Sequence, residues 1–289
     1  MSEHLAADTP RSSEAVRGDE AVVAPPIRRG RILRDGSTLF WGKELLIVGA
    51  LYLVYESVRN LSEGKPAEAF ANALRVIDWQ ERLGIAHERA IQDWVLNYEP
   101  LVVVSNYYYG SAYIVFTVLA LIVLYRRFPN DYPLWRNTLA VGTMLGLVGF
   151  ATFPLMPPRL LDVMGDGRVF GYVDTLVRYP TFWSFESSTM KTISNQFAAM
   201  PSLHCGWAFW AVAALWGRVR TWWMRVAVAS YPVATIFVVV ATANHYFLDA
   251  VGGAVIFAAG YLASRTFTRA GRAPAPPGPA PATPAIASR

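Results

Sequence analysis

Residues 101–125 read LVVVSNYYYGSAYIVFTVLALIVLY, a run without one charged side chain. A helix needs about 20 mostly apolar residues to cross the hydrocarbon core of a bilayer. In that core every backbone polar group needs an internal partner, so such a run must be helical. The pattern recurs along the chain. Residues 137–156, 197–217 and 226–248 also lack Asp, Glu, Lys and Arg. Residues 39–58 carry Lys43, Glu44 and Glu56 near their ends, and residues 244–264 carry one acid, Asp249, near the start. These segments predict an all-α polytopic membrane protein, a six-transmembrane-helix bundle over residues 39–265.

Composition points the same way. The 289-residue chain is 54% hydrophobic and 16% charged, whereas an average soluble domain is about 45–50% apolar and about 25% charged. A soluble fold would need most of this chain to be interior, which its size does not permit. The aromatic content excludes a disordered chain. The single Cys205 excludes an intramolecular disulfide framework and a cysteine-rich zinc site.

The two ends are of another kind. Residues 1–38 are polar, without the apolar stretch of a secretory signal, and are expected to form a disordered cytoplasmic tail. Residues 266–289, Pro/Ala-rich from Ala273 onward, are expected to be a disordered C-terminal tail.

Arginine placement sets the expected orientation. Basic clusters precede the first span (Arg28, Arg29, Arg31, Arg34), link spans two and three (Arg126, Arg127, Arg136), link spans four and five (Arg218, Arg220, Arg225) and follow span six (Arg265, Arg269, Arg272). The link at 60–100 is net acidic and the loop at 157–196 is neutral. Both termini are therefore expected in the cytoplasm of a multi-pass cell-membrane protein, with the two long links outside. The formal net charge of +5 is thus a topology signal and calls for no nucleic-acid partner. In the outer link, Phe70, Leu74 and Ile77, then Ile91, Trp94 and Val95, recur at helical spacing, with a break at Leu83-Gly84-Ile85. Two outer amphipathic helices fit, either lying on the outer leaflet or packed as a cap on the bundle.

Two of the four histidines, His204 and His245, sit at the outer ends of expected spans, whereas His4 and His87 do not. In Met200-Pro201-Ser202-Leu203-His204 the proline suits a first helical turn. The amides beyond it, near Leu203, form an anion site with the helix dipole. Ser202 either adds a phosphate donor or simply caps the helix. In His245-Tyr246-Phe247-Leu248-Asp249 the spacing i, i+4 puts both side chains on one helix face. Asp249 can then bond one imidazole nitrogen, leaving the other as nucleophile or base; a buried structural pair is the alternative. Pro157-Pro158-Arg159 ends the third span and places a guanidinium at the same face. There Arg159 either grips phosphate in bidentate fashion or anchors a lipid headgroup. Lys191, Arg168 and Arg178 in the following link are further cations. Together these groups suit phosphoryl transfer through a phosphohistidine, with no metal or other cofactor.

On these motifs the sequence resembles the type 2 phosphatidic acid phosphatase superfamily, over about residues 40–265. The matching elements are Pro-Ser-x-His ending at His204 and His-x-x-x-Asp starting at His245. The longer string Phe-Ala-Ala-Met-Pro-Ser-Leu-His and the Pro-Pro-Arg at Arg159 resemble the branch of fungal inositol phosphorylceramide synthase and related bacterial proteins. The resemblance implies His245 as nucleophile, Asp249 as its orienting acid, His204 as general acid, and Ser202 on phosphate. One position departs from the superfamily pattern: the arginine expected before the last histidine falls at Val239. Arg159, with Lys191 or Arg178, would then balance the phosphate charge. The expected partner is a membrane lipid phosphate, with water or a polyol or lipid hydroxyl as acceptor. Hydrolysis and transfer both remain open, as does a catalytically silent lipid-binding or transport bundle. A channel is disfavoured, because no other buried charge is expected in the spans.

Overall fold

The computed structural model describes residues 30–34, 38–61, 65–181 and 196–270. Two short strands, β1 (Arg31–Ile32) and β2 (Thr38–Leu39), pair antiparallel and lead into α1 (Trp41–Leu61). The chain continues through α2 (Pro66–Leu83), α3 (Glu88–Leu96), α4 (Glu99–Arg127) and α5 (Tyr132–Thr152). A 3-10 turn at Pro158–Leu160 and two one-turn helices follow, α6 (Leu161–Met164) and α7 (Thr175–Arg178). The last three helices are α8 (Leu203–Leu215), α9 (Trp222–Ala241) and α10 (Phe247–Ala270).

The protein is mostly helical, and among the described residues three helices are long and apolar enough to cross a membrane. They are α4, α9 and residues Phe247–Phe267 of α10, with mean hydropathies of 1.8, 1.8 and 1.6. The other expected spans differ from these. Helices α1 and α5 have 21 residues each but carry polar groups such as Glu44 and Arg136. Helix α8 has only 13 residues, about 20 Å at 1.5 Å per residue. It is shorter than the expected 197–217 because Pro201 and the capping Ser202 start the helix late, leaving residues 197–202 as loop. Glu44 is also a buried charge that the sequence pattern did not lead us to expect: it is 6% exposed and ion-paired with Arg136.

The ends of the helices sort into two groups. At one end, the exit of α5 meets the entry of α8 and the α9–α10 turn. There Leu155 N donates to Phe197 O at 2.7 Å, Arg159 N to Ala243 O at 2.9 Å, and Ser202 N to Asp249 O at 2.9 Å. At the opposite end lie the Arg136–Glu44 pair and the Arg218–Asp131 pair. The last residues of the expected N-terminal tail are also fastened here, since Arg31 Nη1 donates to the carbonyls of Tyr125 and Arg126.

Between these ends, α10 packs along α5 and α8, and α9 packs on α8 and α4. Gly253 makes the α8–α10 contact possible. A Cβ there would collide with Ser202 O and come within 3.0 Å of Gly206 N, both backbone atoms that cannot rotate away. Small residues at such crossings let helix backbones approach closely.

Helices α2 and α3 form a cap over the first end. Gly84, at φ 68°, ends α2 in the left-handed conformation that glycine adopts without strain. The buried face is Ala69, Asn72, Ala73, Val76 and Gln80, then Glu88, Gln92 and Val95. The larger residues of the expected apolar face are only partly covered, and Trp94 is exposed. Small and amide side chains permit the close approach, and their polar atoms reach the bundle's backbone.

Candidate active site

The turn from α9 to α10 carries His245. Asn244 N and His245 N both donate to Val239 O, at 3.0 and 3.1 Å. The Val239 side chain is packed among Cys205, Val240 and Ala250, so the position where the resembled superfamily pattern carries an arginine is core here. Tyr246 N donates to Asp249 Oδ2 at 2.9 Å, a side-chain cap of the kind that a third-position acid gives a helix. The next two amides of α10 are also satisfied. Phe247 N donates to Glu88 Oε1 at 2.9 Å and Leu248 N to Gln80 Oε1 at 3.0 Å. A buried carboxylate suits the positive end of a helix. The cap thus holds the turn that carries His245 from 159 and 168 residues away.

His245 is 3% exposed and Asp249 is fully buried. The imidazole Nδ1 lies 2.8 Å from Ala199 O and 3.2 Å from Asp249 Oδ2. Both partners are acceptors, so Nδ1 carries the proton and Nε2 keeps its lone pair. The tautomer is inferred from these partners. The carbonyl of Ala199 is a second orienting group that spacing alone did not reveal. His204 sits on the first turn of α8, its ring centroid 5.6 Å from that of His245. Tyr109 stacks on it at 4.5 Å and Tyr113 meets it edge-on at 4.5 Å, which fixes the ring plane.

Arg159 is 8% exposed. Its Nε donates to Asn244 Oδ1 at 2.9 Å and its Nη1 to Asp174 Oδ2 at 2.6 Å. Asp174 in turn caps α7, accepting from Leu176 N and Val177 N. Asn244 and Asp174 are therefore positioning residues for Arg159, and neither was singled out by its type or spacing.

A cavity of about 540 Å³ opens onto these groups. Arg159, Leu203, His204, Asn244 and His245 line one end. Ser202 is fully buried and accepts from Cys205 N at 3.3 Å, so it is seen here as the cap of α8. Asp249 stands behind His245. The amides of Leu203 and His204, in the first turn of α8, have no intrahelical acceptor, unlike the side-chain-capped start of α10. Lys191 lies outside the described residues. Arg168 pairs with Asp166 at the surface, holding that exposed carboxyl below the usual range. Arg178 is exposed beside the Tyr179 ring. Among the described residues, Arg159 is thus the one cation lining the histidine end. No group of three His, Cys, Asp or Glu suited to a metal occurs among them.

The sequence model of the PAP2 superfamily matches residues 74–263, a stretch that contains His204, His245, Asp249 and Arg159. No curated protein and no solved structure matches the chain.

Proposed function

The chain belongs to the PAP2 superfamily, whose membership suggests lipid phosphatase-type activity, and we propose that this protein cleaves a lipid phosphate or phosphodiester through a phosphohistidine on His245. The observation that carries the reading is the pair of acceptors on His245 Nδ1, at 2.8 and 3.2 Å. They leave Nε2 as the nucleophilic atom beside Arg159 and His204.

In the first step Nε2 attacks phosphorus and the bond from phosphorus to the lipid oxygen breaks. His204 gives its proton to that leaving oxygen. Arg159 and the Leu203 and His204 amides hold the phosphoryl oxygens, and Ser202 adds its hydroxyl if the cap loosens. As His245 becomes cationic, Asp249 stabilises it. In the second step His204 takes a proton from water or an acceptor hydroxyl. That oxygen attacks phosphorus, the P–N bond breaks, and His245 is restored.

We place the protein in the branch resembling inositol phosphorylceramide synthase, with transfer to a polyol or lipid hydroxyl as the variant reaction. Supporting this is the sparse positive charge among the described residues: Val239 is buried core, and Asp174 already neutralises Arg159. One guanidinium suits a phosphodiester, which carries less charge than a phosphomonoester. Six passes, cytoplasmic termini and an outward-facing site complete the proposal. The grouping of Arg126, Arg127, Arg218, Arg220 and Arg225 at the helix ends opposite the histidines supports that orientation.

The purified protein, given phosphatidate and phosphatidylinositol with and without free inositol, tests the reaction class. Inorganic phosphate from phosphatidate, or inositol phosphate from phosphatidylinositol in water alone, means hydrolysis; a phosphate ester of inositol that forms from phosphatidate only when free inositol is added means transfer. Wild-type turnover by His245→Ala on every substrate would overturn the reading.

A further inference from the structure

The cavity does not stop at the histidines. Along α4 its lining runs from Asn106 to Leu121, about 22 Å at 1.5 Å per residue. Along α5 it runs from Phe150 back to Arg136, about 21 Å by the same rise. Its two ends differ in chemistry. The histidine end presents Arg159 and imidazoles, whereas the shaft between is walled by Ile114, Val118, Leu121, Leu139, Ala140 and Met144. At the far end Arg136 lines the floor, bound to Glu44 on α1 and to Asn137 Oδ1. Tyr52, Ile114 and Val118 line the shaft and are also exposed, at 54%, 45% and 47%. The wall between α1 and α4 is therefore open to the lipid side.

The geometry points to a substrate-tail site: one hydrocarbon chain of the lipid phosphate lies in this shaft, head at His245, with the Arg136–Glu44 pair marking the greatest length of chain that gains affinity. The inference rests on the proposed lipid phosphate chemistry and deepens it. A volume of about 540 Å³ falls within the usual ~300–1,000 Å³ of ligand cavities. It is one shaft, so the second chain of a two-chain lipid stays in the bilayer. The floor stops the chain because a methylene pressed on a partly buried ion pair strips polar contacts and offers none in return. Each methylene before the floor adds affinity by burial, about fourfold apiece. Each one beyond it adds nothing.

Alkyl phosphonates of graded length test this directly, since they carry the charged head and resist cleavage. Their affinity for the wild-type protein in a fixed detergent is measured by displacement of a fluorescent lipid. The same series is run on Ala140→Phe, which fills the shaft from α5. It is run also on Val118→Phe, from the opposite and exposed wall, where folding tolerates the change. Comparing variant with wild type at each length removes the effect of chain length on partition into micelles. The expected result is a plateau with length in wild type. The variants should bind the long phosphonates at least tenfold more weakly and the shortest ones unchanged. Variants that bind every length as wild type does, or that lose all lengths equally while remaining folded, would overturn the tail site. Failure of the chemistry looks different: length-dependent binding that the variants disturb, with no turnover of any lipid phosphate, leaves the shaft standing and removes the proposed reaction.

Discussion

Asp249→Asn separates two things a carboxylate can do beside a histidine: fix its tautomer, and stabilise its positive charge. In protease triads the corresponding change lowers turnover about 10⁴-fold because the wrong tautomer results. Here the nearer acceptor of His245 Nδ1 is Ala199 O at 2.8 Å, with Asp249 Oδ2 at 3.2 Å. The carbonyl survives the substitution, so the tautomer survives as well. What is lost is the negative charge on that second acceptor, worth at most the ~1.5–3 kcal/mol of a hydrogen bond to a charged group. At about 1.4 kcal/mol per tenfold, kcat should fall roughly 10- to 100-fold. Stability should move the other way. Asp249 is fully buried, and its Oδ1 has no hydrogen-bond partner among the described residues. Asparagine keeps an oxygen for Tyr246 N–H and removes a buried charge whose effective desolvation is several kcal/mol. The variant should therefore melt no lower than wild type. Initial rates on a lipid phosphate and thermal unfolding in the same detergent measure both. A loss near 10⁴-fold, or a melting temperature clearly below wild type, would refute the two-acceptor reasoning.

Three further changes probe how the site is held. Gly253→Ala forces α8 and α10 apart through backbone atoms; overpacking of this kind costs about 1–3 kcal/mol. A misplacement of about 1 Å between His204 and His245 could lower turnover 100-fold, so unchanged rate and melting temperature would contradict the close-approach role. Glu88→Ala leaves Phe247 N–H buried without its acceptor, at about 1–3 kcal/mol, whereas Glu88→Gln keeps an acceptor and should recover most of the thermal stability; equal losses in both would show that the cap acts otherwise. Asp174→Asn still caps α7 but strips the counter-charge from Arg159. The expected result is a destabilised protein that gains more in melting temperature from added inorganic phosphate than wild type does, because the anion replaces the lost charge; equal gains would place phosphate elsewhere.

Much of this site was readable where it depends on local spacing. His245 and Asp249 share a face because i and i+4 do so on any helix, and Pro201-Ser202 mark a helix start. The coarse helical membrane character was readable from charge-free runs. What could not be read lies in pairings set by tertiary packing. Arg159 meets Asn244 across 85 positions, and Gln80 meets Leu248 N across 168. The Ala199 carbonyl belongs to backbone, which no residue type announces. The spans misjudged in length show the same limit, since apolar composition at 197–202 is shared by loop and helix. Glu44 looked like a span-end charge, yet it is buried because Arg136 packs beside it.

Whether His245 itself takes up the phosphoryl or phosphodiester group is tested most directly by trapping it. The purified protein is mixed with a lipid substrate radiolabelled at phosphorus, quenched in alkali, which preserves phosphohistidine, and digested for mass spectrometry under basic conditions. The expected result is label on the peptide containing His245, absent in His245→Gln and accumulating in His204→Ala when the first leaving group needs no proton. Sustained turnover in wild type with no label on His245 at any quench time, or a His245→Gln variant with wild-type turnover, would contradict it.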